Sequence, residues 1–189
     1  SKVLYFGIKK TLNLESKKND IFTIIAVGRL DPIKGFDSLI EQVSKLDFDF
    51  VLNIIGEGSQ KEKLEELISS KNLEKKVFLL GFKDNIPQYL ANSHLQVISS
   101  LTEGLPLTLL EGIFNSSLII STPVGGIVEV LDADYLLKIE EFPNKITYIY
   151  KDYEKYCKDF KLKHEHLKQK FDFDDYSKKL VKYYEGCIN

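Results

Sequence analysis

Apolar residues along this chain fall into short unbroken runs, each followed by a stretch at helical spacing. Ile21–Val27 is rich in β-branched residues with little polar alternation, which predicts a strand buried on both faces. Phe36, Leu39, Ile40, Val43 and Leu46 then follow a helical period. Phe50–Ile55 predicts a second buried strand, ending at Gly56-Glu57-Gly58. Ser59 and Glu62 have the spacing of a capping box, and Leu64, Leu67 and Ile68 give the helix behind it an apolar face. Val77–Leu80 predicts a third strand closed by Gly81, with a short helix near Ile86–Ala91. Leu95–Ser99 is expected as a fourth strand and Pro106–Asn115 as the next helix. Leu118–Ser121 gives a fifth strand, closed by Pro123-Val124-Gly125-Gly126, and Tyr135–Ile139 a sixth. Helical patterns follow near Phe142–Tyr150, Asp152–Gln169 and Phe173–Glu185.

Strands alternating with helices imply an α/β fold. The expectation is a doubly wound, Rossmann-like parallel sheet of about six strands with helices on both faces and a C-terminal helical extension. Residues 1–20 read as a linker or edge segment, 21–150 as the sheet domain, and 151–189 as the C-terminal helices. Right-handed crossovers bring the C-terminal ends of all strands to one edge. The loops Gly28–Gly35, Gly56–Gly58, Gly81–Asp84, Ser100–Pro106 and Thr122–Gly126 then share that edge, where open α/β sheets bind ligands.

Composition narrows the function classes. A formal charge of −2 and a pI near 6.0 give no global reason to expect nucleic acid as a partner. Cys157 and Cys187 are too distant for a compact metal motif and too few for a disulfide framework, so both are expected as free thiols. No stretch approaches the ~18 apolar residues of a membrane span. The chain starts at Ser1 and contains no Met, which reads as a portion of a longer protein. The Lys-rich C-terminal region interleaves acidic residues and reads as a solvated helical face.

The candidate chemistry sits in the edge loops. Glu103 and Glu111 flank Gly104-Leu105-Pro106, with a helix start between them. Pro106 suits the first turn of a helix, where an amide would go unpaired. A helix N-terminus attracts anions through its free amides and dipole. Two carboxylates beside it suit a phosphorylated ligand that also carries hydroxyls. The second signal is scarcity: the only Arg is Arg29, in Gly28-Arg29-Leu30-Asp31-Pro32-Ile33-Lys34-Gly35. Its planar fork matches phosphate oxygens in a way Lys does not. Gly56-Glu57-Gly58-Ser59 is Gly-rich but lacks the Gly-Lys-Ser/Thr ending of a P-loop, so it reads as a turn. Asp47-Phe48-Asp49 has metal-site spacing but precedes a strand, at the opposite edge. His94 reads as structural, and His164 and His166 do not share a helix face.

Taken in order, these motifs resemble the donor-binding half of GT-B-fold glycosyltransferases, most closely the group 1, family 4, retaining class. The likeness is carried by Gly28-Arg29-Leu30 through Lys34-Gly35, by Glu103-Gly104-Leu105-Pro106 with Glu111, by Gly125-Gly126-Ile127-Val128-Glu129, and by Phe171-Asp172-Phe173. Val128, where many members carry Pro, and Asn115-Ser116-Ser117 depart from the pattern. The resemblance implies half of a GT-B fold that binds a nucleoside diphosphate sugar, UDP-sugar favoured, with no metal and no further cofactor. The implied catalytic residues are Arg29, Lys34 and Glu103. The implied donor contacts are Gly28, Arg29 and Lys34 on the diphosphate, Gly81, Phe82 and Lys83 at the base, Glu103, Gly104, Leu105 and Pro106 near the sugar and phosphate, and Glu111 on the ribose. The acceptor-binding N-terminal domain of that family is expected as the missing partner, so the isolated chain is expected to be inactive. The whole enzyme is expected to make surface polysaccharide or glycolipid. Its expected place is cytoplasmic, with peripheral association at the inner face of the membrane as a further expectation. A nucleotide-sugar isomerase or epimerase on the same fold, or a non-catalytic nucleotide-binding module, are the alternatives.

Overall fold

The computed structural model describes residues 6–9, 17–116 and 118–188, with side chains through residue 185. Strands β1 (Phe22–Val27), β2 (Phe50–Ile55), β3 (Val77–Leu79), β4 (Leu95–Ile98) and β5 (Ile119–Ser121) are all parallel. Their order is β3-β2-β1-β4-β5. The chain therefore winds outward from β1 to β3, then crosses back to build β4 and β5 on the other side. The crevice between the loops after β1 and β4 is the switch point, the favoured ligand position in such sheets.

The helices are α1 (Phe36–Val43), α2 (Lys61–Ser70), α3 (Ile86–Asn92), α4 (Leu107–Asn115), α5 (Phe142–Lys151), α6 (Tyr153–Lys170) and α7 (Phe173–Ile188). Alternation along the strands decides which helix covers which face. Ile24 and Ala26 of β1 share a core with Leu39 and Ile40 of α1 and Leu64 of α2. Ile25, between them, turns the other way and packs with Ile55 and with Leu90 of α3. Gln96 of β4 is in register with Ile25, and its Nε2 donates to the Thr108 carbonyl of α4 at 2.7 Å. So α3 and α4 cover the face opposite α1 and α2.

Two expectations are corrected. The sixth strand is reduced to one isolated bridge, Ser121↔Leu136. Asp132 accepts from the Asp134 amide and starts a 3-10 turn at Ala133–Tyr135. The Tyr135 ring is then buried edge-on against Phe160 of α6, its hydroxyl donating to Asp159 at 2.7 Å. Packing against a helix takes the apolar residues that would have filled a strand. The capping box at Ser59 and Glu62 is also absent. Gln60 is the residue before α2, with no side-chain cap. Its amide donates to the Leu30 carbonyl at 2.9 Å, so a contact from the β1 loop sets the entry to α2.

The C-terminal helices belong to the same core as the sheet. Phe160, Leu167 and Phe171 are buried in the cluster that holds β1, β2, β4 and β5. Residue 151 ends α5, and α6 follows it from Tyr153, so helix continues across the expected boundary. Most of the expected segment 1–20 lies outside the described residues; Ile8 bridges Asp172 and donates its amide to the Phe171 carbonyl at 2.8 Å.

Candidate functional site

Every loop nominated from the sequence lies at the C-terminal edge, and the loops are tied backbone to backbone. Gly28 donates to Ile55, Leu30 to Glu57 and Gly56 to Gly81. Leu101 donates to the Ile33 carbonyl at 2.8 Å, joining the β1 and β4 loops across the switch point. Glycines make the close approaches. Gly35 has φ +62°, and a Cβ there would sit 2.3 Å from the Ser99 carbonyl oxygen. Gly125 has φ +52°, and a Cβ there would sit 1.8 Å from the Glu103 oxygen. Beside it, the Gly126 amide donates to the Gly104 carbonyl at 2.6 Å. The Gly-Gly turn after β5 thus clamps the Glu103–Gly104 backbone.

Lys34 and Glu103 meet at the centre. Lys34 Nζ lies 2.6 Å from Glu103 Oε1, with side chains only 18% and 11% exposed. The lysine stem crosses Gly28, where a Cβ would lie 3.3 Å from Lys34 Cδ and Cε. Any larger residue at 28 would crowd that stem. Ser100 Oγ also donates to Glu103 Oε1, at 2.6 Å. Gly104 has nothing within 4 Å of its would-be Cβ, so that side of its Cα faces open space while its carbonyl is held by Gly126. Leu105 packs against the core, and Pro106 is buried. Pro106 is the residue before α4 rather than in its first turn, extended at φ −73°, ψ 134°. It leaves the α4 N-terminus beginning at Leu107.

Arg29, Gly81, Phe82, Lys83 and Glu111 make no hydrogen bond or ion pair with the Lys34 and Glu103 side chains. Arg29 is 79% exposed and pairs with its neighbour Asp31 at 3.0 Å. Gly81 has φ +68° at the end of β3, followed by Phe82, 72% exposed, and half-buried Lys83. Glu111 stands on the second turn of α4, half-buried. Burial raises its carboxyl above the ordinary 4.5. Its carboxylate has no hydrogen-bond or ion-pair partner among the described residues.

Other polar groups are committed to structure. His94 Nδ1 accepts from the Thr23 amide at 3.0 Å. His164 Nε2 accepts from the Asp132 amide at 3.0 Å, while Nδ1 faces the Phe160 carbonyl at 2.9 Å, which requires the Nδ1–H tautomer. Cys157 is a free thiol; Cys187 lies beyond the described side chains. Asp47 and Asp49 precede β2, at the edge away from the site. Among the described residues no three His, Cys, Asp or Glu side chains are grouped to hold a metal ion. Sequence reasoning missed Ser99, Ser100 and Thr122. Their signal was available: hydroxyl residues at strand C-termini, just where the ligand edge begins.

Residues 9–166 match the family model for glycosyl transferases group 1. The chain belongs to that family. Among curated group 1 relatives, the Campylobacter jejuni N-acetylgalactosamine-N,N'-diacetylbacillosaminyl-diphospho-undecaprenol 4-alpha-N-acetylgalactosaminyltransferase is 39% identical over 99 residues, 52% of this chain and 27% of that one. One component of the Arabidopsis thaliana phosphatidylinositol N-acetylglucosaminyltransferase is 32% identical over 133 residues, 68% of this chain and 30% of that one. The glycosyltransferase fold is shared with Anabaena HepE in complex with UDP-glucose, with a TM-score of 0.82 at 22% identity over 88% of this chain and 49% of that one. The pneumococcal O-GlcNAc transferase GtfA, in complex with UDP and GlcNAc, gives 0.80 at 21% identity over 97% and 39%. The architecture is therefore roughly half of a GT-B fold. The chain spans about half or less of the length of these relatives.

Proposed function

We propose that this chain is the nucleotide-sugar-binding half of a retaining, metal-independent glycosyltransferase. The observation that carries the reading is the Lys34–Glu103 pair at the switch point, beside exposed Gly104, whose Cα side is open, and the α4 N-terminus. A cation, an anion-attracting helix end and two carboxylates within one loop cluster suit a diphosphate that bears hydroxylated rings at both ends. Lys34, with Arg29 swung from Asp31, would hold the diphosphate and offset the charge that builds on it as the glycosidic bond to the sugar breaks. Glu111 would accept hydrogen bonds from the ribose hydroxyls, and Glu103 from the donor sugar. Gly28 leaves room for the Lys34 stem. The Gly104 and Leu105 amides, led by Pro106 into α4, would face sugar and phosphate. Gly81, Phe82 and Lys83 would border the base.

UDP-sugar is the favoured donor because the HepE and GtfA structures hold UDP-glucose and UDP. The Campylobacter and Arabidopsis names include a diphospho-undecaprenol and a phosphatidylinositol. They support a lipid-linked acceptor and glycolipid or surface polysaccharide synthesis. The acceptor would be supplied on a second domain of the whole protein, working in the cytoplasm at a membrane surface. No helix among the described residues is long and apolar enough to cross a membrane.

Calorimetric titration with UDP, GDP, ADP and their sugar conjugates tests the reading. Binding of one diphosphate, weakened about tenfold or more by Arg29→Ala and by Glu111→Ala, is expected from loss of a charged hydrogen bond in each. Absence of binding to all of them, in this chain and in the full-length protein alike, would reject it.

A further inference from the structure

The two serines that close β4 are buried, at 2% and 3% exposure, and their hydroxyls serve different partners. Ser99 Oγ donates to the Lys34 carbonyl at 2.8 Å, whereas Ser100 Oγ donates to Glu103 Oε1 at 2.6 Å. Ser100 is itself held from β5: Thr122 Oγ1 donates to the Ser100 carbonyl at 2.6 Å, and the Thr122 amide to Ile98 at 2.9 Å. Both donors to Glu103, Ser100 Oγ and Lys34 Nζ, converge on the same oxygen, Oε1. Oε2 has no partner among the described residues. No enclosed side-chain oxygen of the described residues lacks a partner, so the unpartnered Oε2 keeps some contact with solvent.

Resting on the donor-site reading above, we propose that Ser100 is a positioning residue that holds Glu103 with Oε2 turned toward the donor sugar. The short distance fits a hydroxyl bound to an ionised carboxylate, a strong and directional bond. Lys34 cannot do this work alone. A bound diphosphate competes for its ammonium, and a lysine drawn toward phosphate loosens its hold on Oε1. The Ser100 hydroxyl is neutral and rooted in the sheet edge, so a diphosphate does not draw it away by charge. It keeps the carboxylate aimed while Lys34 changes partner. Ser100 acts only through Glu103.

The test is a calorimetric comparison of UDP with UDP-glucose and UDP-N-acetylglucosamine, on the wild type, Ser100→Ala, Ser100→Thr and the Glu103→Gln variants with and without Ser100→Ala. Ser100→Ala is expected to weaken the UDP-sugar that binds by about tenfold, the scale of one charged hydrogen bond, while leaving UDP within about twofold. Ser100→Thr, which keeps the hydroxyl, is expected to restore binding. In the Glu103→Gln background, Ser100→Ala is expected to add nothing. Equal weakening of UDP and UDP-sugar, no weakening of either, or full additivity with Glu103→Gln would overturn the proposal. A full-length protein that binds none of the three ligands would overturn a UDP-sugar as the donor, and this inference with it, while the guanosine and adenosine titrations above decide the donor-site reading itself.

Discussion

Glu111 is half-buried, with no partner for its carboxylate among the described residues. Burial alone raises its carboxyl, so ionisation is harder in the folded chain than in the unfolded one. With the folded value raised, the unfolded chain gives up the proton first as pH rises. Stability from this position therefore falls as pH climbs from the ordinary 4.5 through the raised value. Glu111→Gln is expected to raise the melting temperature near neutral pH, with the gain shrinking as the solution is acidified. The same variant should weaken nucleoside diphosphate binding about tenfold, having lost the charged acceptor. A lower melting temperature at neutral pH would mean that the carboxylate is stabilised by a group in the free protein. Glu103 and Glu111 were singled out from their linear spacing around a helix start. The lysine partner of Glu103 was not legible, because Lys34 reaches it only once β1 and β4 lie side by side.

At the scale of elements, the edge loops separate into those that are packed and one that is open. Gly35→Ala and Gly125→Ala each demand a positive φ from alanine and drive a Cβ into backbone. Each is expected to cost about 2 kcal/mol or more in denaturant melts. Gly104→Ala meets no atom, so it should stay within about 0.5 kcal/mol of the wild type while still weakening donor binding if that backbone meets the ligand. Histidines join other elements. His94 and His164 both accept a backbone amide through an unprotonated nitrogen, and burial is the main cause holding both below the ordinary 6.5. The unfolded chain therefore takes up protons first as pH falls, and stability is lost below about 6.5. Melting temperature is expected to drop by a few degrees between about pH 7 and about pH 5.5. In His164→Asn that drop should be smaller, although the variant starts less stable; an undiminished drop would exclude His164 as a contributor. Strand and helix periods were readable because each is a local property. The lost sixth strand was not, since Tyr135 carries a strand-like run into a pocket made by Phe160 and His164 of α6.

For the molecule as a whole, α6 is part of the fold rather than a tail. Phe160, Leu167 and Phe171 are at most 4% exposed and pack into the sheet's own core. Phe160→Ala and Phe171→Ala are each expected to destabilise by about 3 kcal/mol in urea melts. Ending the chain at residue 151 should abolish cooperative unfolding. A truncated chain that melts as sharply as the full one would show that the sheet closes its core without α6. Other aromatic contacts work in the same direction: the Tyr153 hydroxyl reaches the His94 carbonyl at 3.1 Å, tying the start of α6 to the entry of β4.

The residues alone determined the alternation of strands and helices, the shared edge of the five loops, and the set of Arg29, Lys34, Glu103 and Glu111. Those follow from periodicity, glycine placement and residue chemistry, which are written in linear order. Tertiary structure decided that Lys34 meets Glu103 across the switch point and that the Glu111 carboxylate meets none of these groups. It also decided where β5 gives way to 3-10 turns and how α2 begins. Lys34 and Glu103 meet because the order β3-β2-β1-β4-β5 sets β1 beside β4 and so joins loops that the chain separates by dozens of residues.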